Sequence, residues 1–142
     1  MYYFNILQLS ISLLIPTIFL CYKQDKTVYC IILSTNLFIS LLVHRPNKED
    51  TIDIYDKIDW GLIILWVLIN IYETLKIILN IFFSFSLIKV VGLLIAFIFA
   101  YFCHLFDIKR QKYKYRTSEW LINHIGMHLS GILGTFFLLL LN

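Results

Sequence analysis

The sequence predicts an all-α fold, a polytopic bundle of about five transmembrane helices, and three observations carry that reading. Of 142 residues, 60% are hydrophobic, and the mean hydropathy is +0.80. A soluble domain is about 45–50% apolar, and a chain this short has too little interior to hide the surplus. The charges are segregated. Residues 1–22 and 120–142 carry none, and most of the others fall in 23–26, 45–59 and 107–119. The apolar runs between these clusters suit spans of about 20 residues. Together they form one transmembrane domain, 1–142, without internal repeats or low-complexity linkers.

The first span is expected over 3–22, with a kink at Pro16. It lacks a basic leader and an A-x-A cleavage site, so it reads as a retained span rather than a signal peptide. A polar turn at 23–26 leads to a second span over 27–44. Ser34, Thr35, Asn36 and Ser40 make that helix polar, which suits the interior of a bundle. Pro46 forces its predecessor out of the helical region. Asp50-Thr51 is the expected cap of the next helix, which begins near Ile52 and is fully apolar from Ile58. The stretch 58–106 divides into two tilted spans, 58–83 and 88–106, or into three short ones, which would make six in all. The last span is expected over 118–141, with Ser118-Glu119 favouring a helix N-terminus.

Five spans place the loops 45–57 and 107–117 on one side. Arg45, Lys48, Lys57, Lys109, Arg110, Lys112, Lys114 and Arg116 then gather there, against Lys23, Lys26 and Lys89 opposite. That asymmetry obeys the positive-inside rule. Six spans also obey it, but they separate His44 from the histidines of the last span. Five spans bury Glu73 and Lys76, whose i,i+3 spacing permits a mutual ion pair. The net charge of +3 is small and juxtamembrane, so it reads as a topology signal and implies no nucleic acid. Cys21, Cys30 and Cys103 form no CxxC and imply neither a zinc ribbon nor a disulfide framework.

An ionisable side chain inside a span costs roughly 2.5–3.5 kcal/mol on insertion scales, so each one needs a reason. His44, His124 and His128 qualify; His104 lies near a span end beside Asp107. His124 and His128 are four residues apart and share a helical face. Ser40 stands one turn before His44, and Asp56 and Asp59 stand at the mouth of the third span. Three neutral imidazoles and a water make a tetrahedral zinc site with an open position. A nearby carboxylate can hold or deprotonate that water. A serine hydroxyl can orient it or stabilise developing charge. Asn123 and Glu119 are candidate partners for the histidines' second ring nitrogens.

The order Ser40-x-x-x-His44, then Asp56 or Asp59, then His124-x-x-x-His128 resembles a membrane hydrolase superfamily. Its members include alkaline ceramidases, the adiponectin and progestin receptor family, and hemolysin III proteins. The last span is the closest match, with Ser130, Gly134, Thr135 and Phe136 following the histidine pair. The resemblance implies zinc held by His44, His124 and His128. It also implies an aspartate on the zinc's water, a serine beside it, and hydrolysis of an amide in a membrane lipid such as ceramide. The family has seven spans where five are read here, and its aromatic residues between the last histidines are replaced by Ile125, Gly126 and Met127. The family pattern favours Asp56 as the carboxylate, whereas membrane depth favours Asp59.

A function of a different class competes: a non-catalytic subunit of a large membrane assembly, such as an organellar respiratory or ATP synthase complex. Heavy use of Ile, Phe, Tyr, Asn and Lys suggests an AT-rich genome, and small, very hydrophobic proteins without a soluble domain are typical of such subunits. The partners expected are membrane lipids and, on this second reading, other subunits. The membranes expected are the mitochondrial inner membrane or an endomembrane.

Overall fold

Two helical segments open the chain, α1 (Tyr2–Ser12) and α2 (Leu14–Lys23), and they form one kinked rod. The kink follows from Pro16. Proline has no N–H for the Ser12 carbonyl, and its ring presses on that carbonyl. Leu13 takes up the distortion with ψ −7. The structure, a computed structural model, describes residues 2–45, 53–114 and 117–141.

The turn after α2 places Asp25 in the left-handed region, φ 54, which a short polar side chain tolerates. Then come α3 (Thr27–Val43), α4 (Ile54–Phe83), α5 (Leu87–Arg110) and α6 (Ser118–Leu140). The described residues contain no strand. The rod 6–23, α4, α5 and α6 are each long and apolar enough to cross a membrane; α3 is apolar but has only 17 residues. Among the described residues the fold is an all-α bundle of five rods, and its apolar exterior is that of an integral membrane protein.

The expected division of 58–106 into two helices holds, because α4 runs unbroken through Glu73 and Lys76. Glu73 is buried, and its nearer partner is Lys26 of the α2–α3 turn at 2.7 Å, with Lys76 at 3.6 Å. The sequence pairing of Glu73 with Lys76 missed Lys26, because that contact joins two helices.

The Asp50-Thr51 cap lies outside the described residues. The cap seen on α4 is Asp53. Its carboxylate accepts from the Tyr55 and Asp56 amides, and Asp56 reaches back to the Asp53 amide at 2.8 Å. That reciprocal arrangement is a capping box. Thr117 caps α6 by accepting from the Trp120 amide at 3.3 Å. Lys109 and Arg110 lie in the last turn of α5, where positive charge complements the helix dipole.

α6 is the axis of the bundle. It packs against α1, α2, α4 and α5. The α5–α6 contact is made by small residues. A Cβ on Gly134 would stand 3.3 Å from Phe99 Cβ and 3.5 Å from the Ala96 carbonyl. Close backbone approach of this kind lets helices associate in lipid without a hydrophobic driving force. Leu14, Cys21, Tyr29, Leu33, Ile132 and Leu139 form the central core between α2, α3 and α6.

Polar side chains pin the middle of the bundle. Trp66 Nε1 and Asn70 Nδ2 both donate to Thr135 Oγ1, at 2.9 and 3.0 Å, and the Tyr29 hydroxyl donates to Asn70. On the outside, Ile64, Leu68, Ile71, Leu75 and Leu79 of α4 are exposed, as a lipid-facing stripe requires.

Candidate functional site

His44 is the C-cap residue of α3, and its amide still bonds back to the Ser40 carbonyl at 3.0 Å. His124 and His128 occupy successive turns of α6. Because α3 ends where α6 begins, the three rings meet at one end of the bundle. His124 Nε2 stands 3.3 Å from His44 Nε2 and 3.0 Å from His128 Nε2. One ligand atom from each of the three lies within 4.8 Å of the others.

This geometry is awkward for hydrogen bonding alone. An imidazole nitrogen offers one in-plane position, occupied by a proton or a lone pair. His124 Nε2 faces two neighbours and cannot complete an ordinary hydrogen bond to both. A metal at the shared point takes one lone pair from each ring. Ligands set tetrahedrally at 2.0–2.1 Å from zinc lie about 3.3–3.4 Å from one another, near the two separations that His124 makes. The three histidines could therefore hold a metal ion.

His124 is buried, and its Nδ1 has no hydrogen-bond partner among the described residues. With Nε2 turned to a metal, Nδ1 carries the proton and calls for an acceptor. Asn123 and Glu119 were the expected partners, and the structure corrects that. The Asn123 amide donates to the Glu119 backbone carbonyl at 2.7 Å, and the Glu119 carboxylate accepts from Ser118. Both turn back along their own helix.

Trp120 was not anticipated. Its ring stacks on His124 with centroids 4.5 Å apart and planes 15° from parallel. The spacing of four residues was the available signal, since it puts Trp120 one turn before His124 on the same face.

Ser40 and Asp59 are both buried, and the Ser40 hydroxyl donates to Asp59 Oδ1. A serine carries one hydroxyl proton, and here it is directed at the carboxylate. Ser40 therefore fixes Asp59, and a direct role on developing charge would require that proton to turn away. This bond ties Asp59 to α3 one turn before His44. Asp56, the other candidate, belongs to the capping box of α4. His104 is exposed on α5 and stands apart from the cluster.

The three histidines thus come together from α3 and α6, and the Ser40–Asp59 bond joins α3 to α4 one turn before His44. No family model, curated protein or solved structure matches the chain.

Proposed function

We propose that this integral membrane protein is a zinc-dependent, ceramidase-like hydrolase of lipid amides, acting where α3, α4 and α6 meet. The observation that carries the proposal is the crowding of three histidine nitrogens on one point, beside a buried Ser40–Asp59 pair. The three histidines and Ser40 are also those implied by the resemblance to the ceramidase-containing superfamily, although its pattern favours Asp56 as the carboxylate.

His44, His124 and His128 would hold the metal. When bound, zinc supplies a Lewis acid for the amide carbonyl and lowers the pKa of the attacking water. The chain's own residues do the rest. Asp59 takes the proton from the water as its oxygen bonds to the carbonyl carbon. The same proton then passes to the nitrogen as the C–N bond breaks, releasing a fatty acid and an amine. Ser40 holds the Asp59 carboxylate in one orientation throughout. Trp120 covers a face of His124 and fixes that ring. The lipid substrate fits an endomembrane.

The test is elemental analysis of detergent-purified protein together with hydrolysis of a short-chain ceramide. The expected result is about one zinc per chain and measurable amide cleavage. His128→Ala should lose both. A folded wild-type protein that takes up no zinc would end the proposal.

The assembly-subunit reading rests on another observation, the outward faces of α4 and α5. Only 11% of the α4 span and 17% of the α5 span is buried within the chain. Neighbouring subunits in the mitochondrial inner membrane would cover them on this reading, with lipid in the gaps. Co-purification in one large complex under mild detergent would favour it over the enzyme.

A further inference from the structure

α3 sorts its polar side chains onto two faces. Ser34 and Thr35 are exposed, and the Thr35 hydroxyl closes on the Ile31 carbonyl of its own helix. Asn36, Ser40 and His44 are 3%, 2% and 6% exposed and follow one another at steps of four. Steps of four keep to one face, each rising about 6 Å.

Two members of this ladder already have a task, since His44 joins the histidine cluster and Ser40 holds Asp59. Asn36 has none. Its Nδ2 finds no hydrogen-bond partner among the described residues. A buried amide without partners weakens a fold, and lipid outside the bundle offers no water to relieve it. A leucine there would pack without that cost.

The position is informative. Asn36 lies one turn inward from Ser40 and two turns, about 12 Å of helix rise, from His44. Leu33 and Leu37 flank it on the same helix. The nearest cation along α3 in the inward direction is Lys26, already paired with Glu73. A single amide in apolar surroundings cannot compensate a charged group, but it suits a neutral oxygen.

We infer that Asn36 holds the substrate: its side-chain amide donates to an uncharged oxygen of the bound lipid, a hydroxyl or carbonyl lying inward of the scissile amide. The assignment rests on the lipid amide hydrolase reading of the site. It adds a specificity element, because lipids without such an oxygen leave the Asn36 donor unmet.

Asn36→Leu tests it, since the change removes the amide at similar volume. The KM for a short-chain ceramide should rise at least tenfold, with kcat altered less than threefold. Zinc content should be unchanged and the melting temperature equal or higher. A hydrolysis-resistant ceramide analogue should bind at least tenfold more weakly, a readout independent of turnover. Unchanged KM and unchanged analogue binding would overturn the assignment while leaving the zinc site intact. If Asn36→Leu does not fold, Asn36→Ala is read in the same way, and loss of fold in both makes the residue structural and overturns the proposal. A wild-type protein that neither cleaves ceramide nor binds the analogue instead brings down the site reading, and this assignment with it.

Discussion

The Ser40 hydroxyl on α3 donates a hydrogen bond to the Asp59 carboxylate on α4, and this contact has a counterpart at the opposite end of α3. Lys26, fourteen residues before Ser40, pairs with Glu73, fourteen residues after Asp59. The two helices run antiparallel, so equal spacing on both, about 21 Å at 1.5 Å per residue, places the ties in register. One tie holds the candidate base, and the other fixes how far α3 can slide along α4.

The Lys26–Glu73 tie should be a large stability term. Glu73→Gln leaves the Lys26 ammonium, 15% exposed, without its nearest anion. Breaking a buried pair by removing one partner costs about 3–5 kcal/mol. A marked fall in melting temperature in detergent is expected. The double variant Glu73→Gln with Lys26→Met should recover much of the loss, because no charge is then stranded.

The two aspartates should separate cleanly. Asp59→Asn keeps an acceptor for Ser40 but cannot take a proton. Ceramide hydrolysis should fall by about 10²–10⁴, the usual worth of a general base, with zinc retained. Asp56→Ala should instead cost about 1 kcal/mol of stability through the lost cap, with turnover per folded molecule unchanged. Equal loss of activity in both would show that the capping box and the site are not independent.

Metal retention should depend on pH in one direction. Each imidazole must be neutral to bind, so protons compete with zinc. Zinc content measured after equilibration should fall as the pH is lowered and stay constant as it is raised from neutrality. His128→Ala should shift the loss to higher pH or abolish retention altogether.

The α5–α6 contact should tolerate little bulk. Gly134→Val places branches where a Cβ alone already meets Phe99 at 3.3 Å and helix backbone at 3.5 Å. Backbone cannot swing aside as a side-chain tip can. Overpacking of this kind costs about 1–3 kcal/mol, readable as a lowered melting temperature. Gly61→Ala is the control, because nothing lies within 4 Å of its added Cβ.

Hydropathy and the spacing of charged loops placed the rods outside 58–106, where two helices and three both fitted, and Pro16 marked the break between α1 and α2. The meeting of His44 with His124 and His128 was legible only on the five-span reading, since an odd number of spans brings the end of α3 and the start of α6 to the same level. The choice between Asp56 and Asp59 was not. It depends on where α4 begins, and the cap at Asp53 that decides this competes in sequence with Asp50-Thr51. Lys26 as the partner of Glu73 and Thr135 as the acceptor for Trp66 and Asn70 were equally hidden. Those contacts are set by how helices far apart in sequence pack, which local spacing does not encode.

The shortness of α3 reaches beyond the protein. Its 17 residues rise only about 25 Å, less than the roughly 30 Å hydrocarbon layer of an average bilayer. A helix too short for its surroundings draws the adjacent leaflets together. Lipids around α3 would therefore meet a dimple, with their head groups drawn in toward His44 at one end and Lys26 at the other. The bundle should be most at ease in thin membranes, and reconstitution into lipids of graded chain length is where that hydrophobic mismatch would register.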